Sequence, residues 1–335
     1  MPLSPMPIRT ILVPLDGSAV AERALPIAMA IARRSGAKLR LALVHRSPSP
    51  PVSAETVRLY TSIEVAVRRS ERTYLRGVAS RLQAGLGRPV RSALLTDGVG
   101  PALAHHAHHL GVDLVVLSTH GRGAFRRAWL GSVADYLVRT LEIPVLLVRA
   151  TDATRPPSVA EPEICRILVA LDGSPLAESV LAPAGALARL FEAELSLVQV
   201  IQPLVLASDP PLPFPTGYDT ELTDIRRSGA QDYLDSLVEQ LRAGGLQAAG
   251  AAVLGANVSE TLLDLSRPDG IGLVALATHG YAGLRRLVLG SVADKIVRAS
   301  EVPVLVVRPT PRPPRRAPRG ARPRGRRRPA RPPRR

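Results

Sequence analysis

The stretch STHGRGAFRRAWLGSVAD, residues 118–135, follows a short apolar run and leads into an amphipathic segment. It returns as ATHGYAGLRRLVLGSVAD at 277–294, and RTILVPLDGSAVAERALPIA at 9–28 returns as CRILVALDGSPLAESVLAPA at 165–184. A third pair is IPVLLVR at 143–149 and VPVLVVR at 302–308. Because the repeats keep one order along nearly the whole chain, the sequence consists of two copies of one unit.

These repeats predict a first domain at 1–149 and a second at 164–308, each long enough for its own core. Between them, residues 150–163 are rich in proline and small polar residues and lack apolar periodicity, which is typical of a linker. Residues 309–335 are almost entirely proline, arginine, glycine and alanine. That segment has nothing to bury, and we expect a disordered tail.

The net charge of +16 is concentrated at one end, because twelve arginines lie within 309–335. The body of the chain is therefore only mildly basic. Such a tail could bind nucleic acid through the phosphate backbone. Alternatively, the tail reflects the base composition of a GC-rich gene rather than a function.

A single cysteine, Cys165, excludes an intramolecular disulfide framework. The sequence has neither a signal-like start nor an uncharged apolar run long enough to span a bilayer. We therefore expect a soluble, cytoplasmic protein without a membrane partner.

Short apolar runs alternate with longer amphipathic stretches, as in parallel α/β units. In the first copy the pattern predicts strands at 10–15, 38–45, 90–95, 113–119 and 144–149, and helices at 19–35, 54–85, 100–110 and 132–141. The predicted fold class is α/β, with two tandem Rossmann-like doubly wound domains, each a five-stranded, mostly parallel sheet flanked by helices. Ligands of such sheets bind beyond the carboxyl ends of the strands.

The quoted stretch supplies an anion site at that edge. Gly121 follows the fourth strand, and the pair Gly131 and Ser132 begins the next helix, where unpaired backbone N–H groups and the helix dipole favour an anion. Arg126 and Arg127 add positive charge. The second copy repeats these positions as Gly280, Gly290, Ser291, Arg285 and Arg286. An alternative is a capping box, in which Ser132 and Asp135, or Ser291 and Asp294, close the helix start.

The first turn adds a second element. LDGS follows the first strand of each copy, which places Asp16 and Asp172 near the same crevice, and Val44 and Val200 lie at the end of the second strand. A carboxylate can accept hydrogen bonds from a ribose or an adenine amine, while an apolar strand end can cover a base. Aspartate in such a turn is also ordinary cap chemistry, so this alternative stays open.

At these residues the sequence resembles a tandem universal stress protein of the ATP-binding type, over residues 8–149 and 164–308. That family carries glycine, two residues, glycine, nine residues, and then glycine followed by serine or threonine. Both copies match except at the leading glycine, which is Ser118 in one and Ala277 in the other. The resemblance implies ATP, with or without Mg²⁺, in at least one copy, and leaves open whether both bind it.

Together, the motifs and the resemblance define the candidate nucleotide-binding residues. In the first copy they are Asp16, Val44, Ser118, His120, Gly121, Arg122, Arg126, Arg127, Gly131, Ser132 and Val133. In the second copy they are Asp172, Val200, Ala277, His279, Gly280, Arg285, Arg286, Gly290, Ser291 and Val292.

We expect a nucleotide-dependent sensor or regulator of the stress response rather than a catalyst. The strings H-x-G-H and S-G-G-x-D-S, which mark nucleotidyl-transferring and amide-forming enzymes of related architecture, do not occur. His120 and His279 recur before the loop glycines and could serve as acid or base, or simply orient the loop. Slow ATP hydrolysis or nucleotidyl transfer is the enzymatic alternative, and no residue is assigned a catalytic role.

The string HHAHH at 105–109 invites a metal hypothesis, because His105 and His109 are spaced four apart on a predicted helix. No cysteine or carboxylate adjoins it to complete a tetrahedral set, so no metal site is assigned. The apolar last strands, PVLLV and PVLVV, predict strand pairing. By resemblance, the two copies form a pseudo-dimer within one chain, or the protein forms a homodimer.

Overall fold

The computed structural model describes residues 6–47, 54–119, 130–149, 162–205, 218–267, 270–278 and 289–309. Most of the linker predicted at 150–163 and of the tail predicted at 309–335 lies outside these residues. The free Cys165 is exposed. Within the described part of the chain, no helix is both long enough and apolar enough to cross a membrane.

The first copy alternates strands and helices close to the predicted bounds. The elements are β1 (Thr10–Leu15), a short 3-10 helix (Ala21–Ala24), α1 (Leu25–Ser35), β2 (Lys38–Val44), α2 (Ala54–Leu86), β3 (Arg91–Leu95), α3 (Val99–His109), β4 (Leu114–Ser118), α4 (Ser132–Thr140) and β5 (Val145–Val148).

The second copy repeats this order. Its elements are β6 (Arg166–Leu171), a 3-10 helix (Ala177–Val180), α5 (Leu181–Phe191), β7 (Glu194–Ile201), β8 (Leu204–Val205), β9 (Tyr218–Asp219), α6 (Thr220–Ala243), β10 (Ala248–Leu254), α7 (Val258–Ser266), β11 (Ile271–Ala277), α8 (Ser291–Ala299) and β12 (Val304–Val307). The antiparallel pair of β8 and β9 was not predicted from the sequence.

Ten strands form one continuous sheet in the order β10-β7-β6-β11-β12-β5-β4-β1-β2-β3. Neighbours within each copy are parallel, and β5 and β12 pair antiparallel where the copies meet. This arrangement confirms the predicted α/β class with a mostly parallel sheet flanked by helices.

Both faces of the sheet are buried, as alternating residues of β1 show. Ile11 and Val13 belong to the core beneath α1, α2, α5 and α6, whereas Leu12 belongs to the core beneath α3, α4, α7 and α8. Successive side chains of a strand point to opposite faces, so nearly continuous apolar strands are required here.

Reciprocal contacts hold the two copies together at the junction. Arg149, just after β5, donates to the carbonyl oxygens of Ala299 and Ser300 at the end of α8, both at 3.3 Å. Arg308, just after β12, donates to the carbonyl oxygen of Thr140 at the end of α4, at 2.9 Å. Each cation thus satisfies orphan carbonyls at the helix end of the other copy and complements its dipole.

A second contact links the helices on the opposite face of the sheet. The guanidinium of Arg34, in α1, lies 4.8 Å from the ring centroid of Phe191 at the end of α5. The same side chain donates to the carbonyl oxygen of Leu190 at 3.3 Å. The junction therefore combines a backbone ladder with contacts on both faces.

We predict that the two halves stay associated after the chain is cut between them. A protease site introduced within residues 151–161 should yield two fragments that co-elute near the 35.7 kDa mass of the intact chain, because the β5–β12 ladder does not depend on the connection. Gel filtration with light scattering checks this, and the uncut parent chain is the control. Separate elution of the fragments in native buffer would contradict the single-sheet arrangement.

Candidate functional site

The strand order creates one crevice at the carboxyl edge of each half of the sheet. In the first copy, β1 lies between β4 and β2, and the connection from β1 runs over one face while that from β4 runs over the other. The second copy has the same arrangement at β6 and β11. Ligands of open α/β sheets bind at this type of switch point.

Each crevice is bordered by the start of a helix that is hydrogen-bonded to a strand end. The backbone N–H of Gly131 donates to the carbonyl oxygen of Thr119 at 2.7 Å, and that of Gly290 donates to the carbonyl oxygen of Thr278 at 2.9 Å. The following N–H groups, from the first turn of α4 and of α8, have no acceptor within their own helix. These groups and the helix dipole can bind an anion.

The capping-box alternative is wrong, because neither serine is the N-cap residue of its helix. Gly131 and Gly290 are the N-cap residues, with extended ψ angles of 148° and 150°, and Ser132 and Ser291 are the first helical residues. The acidic side chains bond instead to arginines one turn further along the same helix. Asp135 accepts from Arg139 Nε at 2.8 Å, and Asp294 accepts from Arg298 Nε at 2.7 Å. Both exposed serine positions therefore remain candidates for ligand contact.

The structure gives Gly290 a role that the sequence analysis did not assign. A Cβ on Gly290 would lie 2.7 Å from the carbonyl oxygen of Thr278, which is closer than real Cβ atoms approach. Glycine is thus needed to bring the helix start against the strand end, before any ligand is considered. The sequence-based reason, room for a phosphate, is not the only one.

We predict that Gly290→Ala destabilises the protein by roughly 1–3 kcal/mol, because the added methyl group forces α8 away from Thr278. Gly229→Ala is the matched control, since Gly229 lies inside α6 and its Cβ would meet nothing within 4 Å. Replacing a helix-interior glycine should leave stability unchanged or raise it by roughly 0.5–1 kcal/mol. Urea denaturation measures both, and equal stability of Gly290→Ala and wild type would refute the packing role.

Ser118 has a buried hydroxyl at the end of the strand that borders the first crevice. It is the last residue of β4 and is 9% exposed. Its buried Oγ has no hydrogen-bond partner among the described residues. A buried polar group without a partner costs about 1–3 kcal/mol, and a ligand atom that bonds to it removes that cost. Ala277 occupies the same place in the second copy and presents no such group.

The aspartates of the first turn adopt the same conformation in both copies. Asp16 Oδ1 accepts from the N–H and the hydroxyl of Ser18 at 2.9 and 2.6 Å, and Asp172 Oδ1 accepts from those of Ser174 at 3.0 and 2.6 Å. The ordinary turn chemistry considered above is therefore present. Because β1 and β6 are central strands, the turn also holds each carboxylate at the crevice edge.

The apolar candidates lie on the strand beside each aspartate and on the helix that borders the crevice. Val44 ends β2 and is buried, whereas Val200 in β7 is partly exposed. Val133 and Val292, in the first turns of α4 and α8, are half-buried against the same core. All four valines therefore contribute to the core on the face of the sheet that carries α3, α4, α7 and α8.

Several sequence-predicted site residues lie outside the described part of the chain. They are His120, Gly121, Arg122, Arg126 and Arg127 in the first copy, and His279, Gly280, Arg285 and Arg286 in the second. Their roles stay predictions.

A buried cluster beside Val44 was missed by the sequence analysis. The imidazole of His45 is fully buried and contacts two carboxylates of α2, with Nδ1 2.7 Å from Glu71 Oε2 and Nε2 2.9 Å from Glu64 Oε1. Both ring nitrogens can donate at once only in the imidazolium form. The signal was a histidine at the end of an apolar strand where the second copy has Ile201.

Glu64 is the most connected member of this cluster. Burial alone would raise the pKa of its carboxyl, but the hydrogen bonds from Arg68 and His45, with that from Ser47, lower the pKa overall. A lowered pKa in the folded state means that the carboxylate stabilises the fold at neutral pH. That stabilisation is lost as the pH falls through the pKa of the folded state.

We predict that His45→Ile destabilises the protein by about 1–3 kcal/mol at neutral pH, because both carboxylates lose a hydrogen-bond donor. The triple variant His45→Ile, Glu64→Thr, Glu71→Ala should recover most of this loss. It installs the residues that the second copy buries at the matching places, Ile201, Thr223 and Ala230.

Urea denaturation at pH 7 and at about pH 4 checks the assignment, because the advantage of wild type over His45→Ile should shrink in acid. A triple variant no more stable than His45→Ile would contradict a cluster held by these two carboxylates.

The histidines of α3 stack rather than converge. The rings of His105 and His109 are 6.4 Å apart between centroids and inclined by 10°. Among the described residues, no group of three or more histidine, cysteine or acidic side chains is arranged to hold a metal ion.

Comparison with known proteins shows one family over both copies. The model of the universal stress protein family matches residues 7–149 and 164–308. A universal stress protein of Mycobacterium tuberculosis is 32% identical over 222 residues, which are 65% of this chain and 69% of that protein. One from Thermus aquaticus is 38% identical over 144 residues, which are 42% of this chain and 98% of that protein.

A solved structure supports the tandem fold. The crystal structure of a universal stress protein from Archaeoglobus fulgidus superposes with a TM-score of 0.60 at 18% identity, covering 89% of this chain and 98% of that one. At this level of identity the likeness concerns the fold alone.

Proposed function

Because the chain belongs to the universal stress protein family, we propose that it is a stress-response protein that binds ATP and acts as a nucleotide-dependent sensor or regulator. Another universal stress protein has been solved in complex with cAMP, so an adenine nucleotide is a ligand of at least one relative. The proposal for this chain rests on its own crevices.

The observation that carries the proposal is the end of β4, where the N–H of Gly131 at the start of α4 donates to the carbonyl oxygen of Thr119 and the buried hydroxyl of Ser118 has no partner among the described residues. The first N–H groups of α4 lack intrahelical acceptors and suit a phosphate oxygen, and a hydroxyl at the strand end can donate to or accept from a ribose or phosphate oxygen. The site fits a polyanion because the α4 dipole adds favourable potential there. Arg126 and Arg127, which lie between β4 and α4 in the sequence, would add charge.

The remaining candidates divide between the sugar and the base. We assign Asp16 and Asp172 to the ribose or the adenine amine, since the turn that fixes one carboxylate oxygen also fixes the side chain at the crevice edge. We assign Val44 and Val200 to the face of the base. Mg²⁺, if it accompanies ATP, would offset part of the phosphate charge.

The two crevices differ enough to expect unequal affinities. The first presents the Ser118 hydroxyl, and the second has Ala277 there. The sequences between strand and helix differ as well, with Arg122 in the first copy and Tyr281 in the second. We therefore expect the first copy to bind ATP more tightly.

Binding, rather than rapid turnover, is the proposed activity. The same proposal assigns the functional units to 1–149 and 164–308, joined by a linker at 150–163 and followed by a tail at 309–335. The antiparallel β5–β12 ladder supports a pseudo-dimer formed within one chain.

We predict that Ser118→Ala weakens ATP binding in the first copy about tenfold, the effect of losing one hydrogen bond of roughly 1.5 kcal/mol to a charged group. The reciprocal Ala277→Ser is the matched test and should strengthen the second copy. Calorimetric titration of the full chain with ATP and magnesium measures both. Two variants that each bind like wild type would refute the role of this hydroxyl.

Two further measurements test the ligand and the activity. In the first, freshly purified protein is denatured and the released nucleotide is identified and quantified, which gives the number of occupied sites per chain. Incubation with ATP over hours then separates a sensor from an enzyme. Retention of intact ATP supports the proposal, whereas many turnovers per chain would replace it with a hydrolase.

A further inference from the structure

A cationic pocket lies at the opposite, amino edge of the first half of the sheet. Its lining includes Lys38 and Arg40 of β2, Arg88, and Arg91 of β3, together with the chain at 36–37 and Pro89. The cavity measures about 320 Å³. It shares no residue with the crevice described above.

The register of the sheet forces two of these cations together. Arg40 and Arg91 are direct partners in the parallel β2–β3 ladder, so their side chains leave the sheet on the same face. Like charges directly opposite on neighbouring strands are destabilising. A negative charge bound between the two arginines would relieve this repulsion.

The protein itself does not supply that charge within the described part of the chain. No carboxylate there lies within 4.0 Å of the charged nitrogens of Lys38, Arg40 or Arg91. Asp113, at the same edge of the sheet, accepts from the backbone N–H groups of Arg9 and Thr10 at 2.8 and 2.9 Å.

Arg40 also lacks a hydrogen-bond acceptor, because its buried Nε has no partner among the described residues. A buried guanidinium nitrogen without an acceptor is costly. Arg88 is different, since it donates to the carbonyl oxygen of Ala32 near the end of α1 and has a structural role.

The second copy shows that the fold does not need these cations. The residues at the places of Lys38, Arg40, Arg88 and Arg91 are Glu194, Ser196, Leu246 and Ala249. There, Oε2 of Glu194 lies 3.5 Å from Nε of Arg166, so these two opposite charges form an ion pair. The same sheet edge is thus built without a cationic pocket, and the cationic version is specific to the first copy.

The positive charge of Arg40 also affects the pKa of a histidine in the neighbouring helix α3. The pKa of His106 in α3 is lowered, first by burial and then by the nearby charges of His109, Arg40 and His105. The contribution of Arg40 to this lowering agrees with a local excess of positive charge.

We propose that Lys38, Arg40 and Arg91 form a second ligand site, which binds a small anion bearing a phosphate or pyrophosphate group. Paired guanidinium groups bind phosphate oxygens with charge-assisted hydrogen bonds, and the lysine adds a mobile point charge. An anion in the pocket would satisfy Arg40 Nε and remove the repulsion between the arginines. A concave pocket with three available cations favours a small ligand over nucleic acid, whose binding needs a longer row of phosphate contacts.

The test uses the full chain and inorganic pyrophosphate as the probe, titrated by calorimetry at low salt. The variant Arg40→Ser, Arg91→Ala carries the residues of the second copy at the same places, so it keeps a sheet edge that this fold already builds. We expect it to bind pyrophosphate at the pocket at least about tenfold more weakly than wild type. Arg76→Ser, which removes an exposed arginine of α2, is the matched control and should not change binding.

Two controls separate this site from the crevices and from nucleic acid. The affinity of the crevices for ATP should be the same in wild type and in the double variant, so failure of one site leaves the other testable. Equal pyrophosphate affinity in wild type and the double variant would overturn the proposal. The proposal is also overturned if wild type does not bind pyrophosphate but does bind a single-stranded oligonucleotide that the double variant does not bind.

Discussion

The backbone ladder between β5 and β12 is the interaction on which the arrangement of this protein depends. Each copy ends in a short apolar strand, and antiparallel pairing of the two removes both edges from solvent. Unpaired edges of this kind would otherwise recruit other chains. Pairing also fixes the helix ends on either side, so Arg149 and Arg308 can each satisfy the carbonyls of the other copy.

Within each copy, the order of parallel strands decides where a ligand can bind. Connections that leave β1 and β4 on opposite faces open a crevice between them, and helix starts border it. The hydrogen bond from Gly290 to Thr278 and the close approach of their backbones show how tightly strand end and helix start are joined. The same glycine serves packing and, in our proposal, phosphate binding, so its presence alone does not prove a ligand.

The duplication provides an internal comparison for every unusual residue. His45 is replaced by Ile201, and the charged partners of His45 are replaced by apolar or uncharged residues, without loss of the fold. Arg40 and Arg91 are likewise replaced by Ser196 and Ala249. Charged groups that one copy carries, while the other omits them, are the strongest candidates for functions that the two copies do not share.

The sequence by itself determined the repeat, the class of fold and most element bounds, because apolar periodicity and glycine positions are local properties of the chain. It also located the helix starts at Gly131 and Gly290. Only the tertiary structure decided which side chains meet, as in the His45 cluster and the opposed pair of Arg40 and Arg91. Those contacts depend on strand order and register, which join residues far apart in sequence and leave no local pattern.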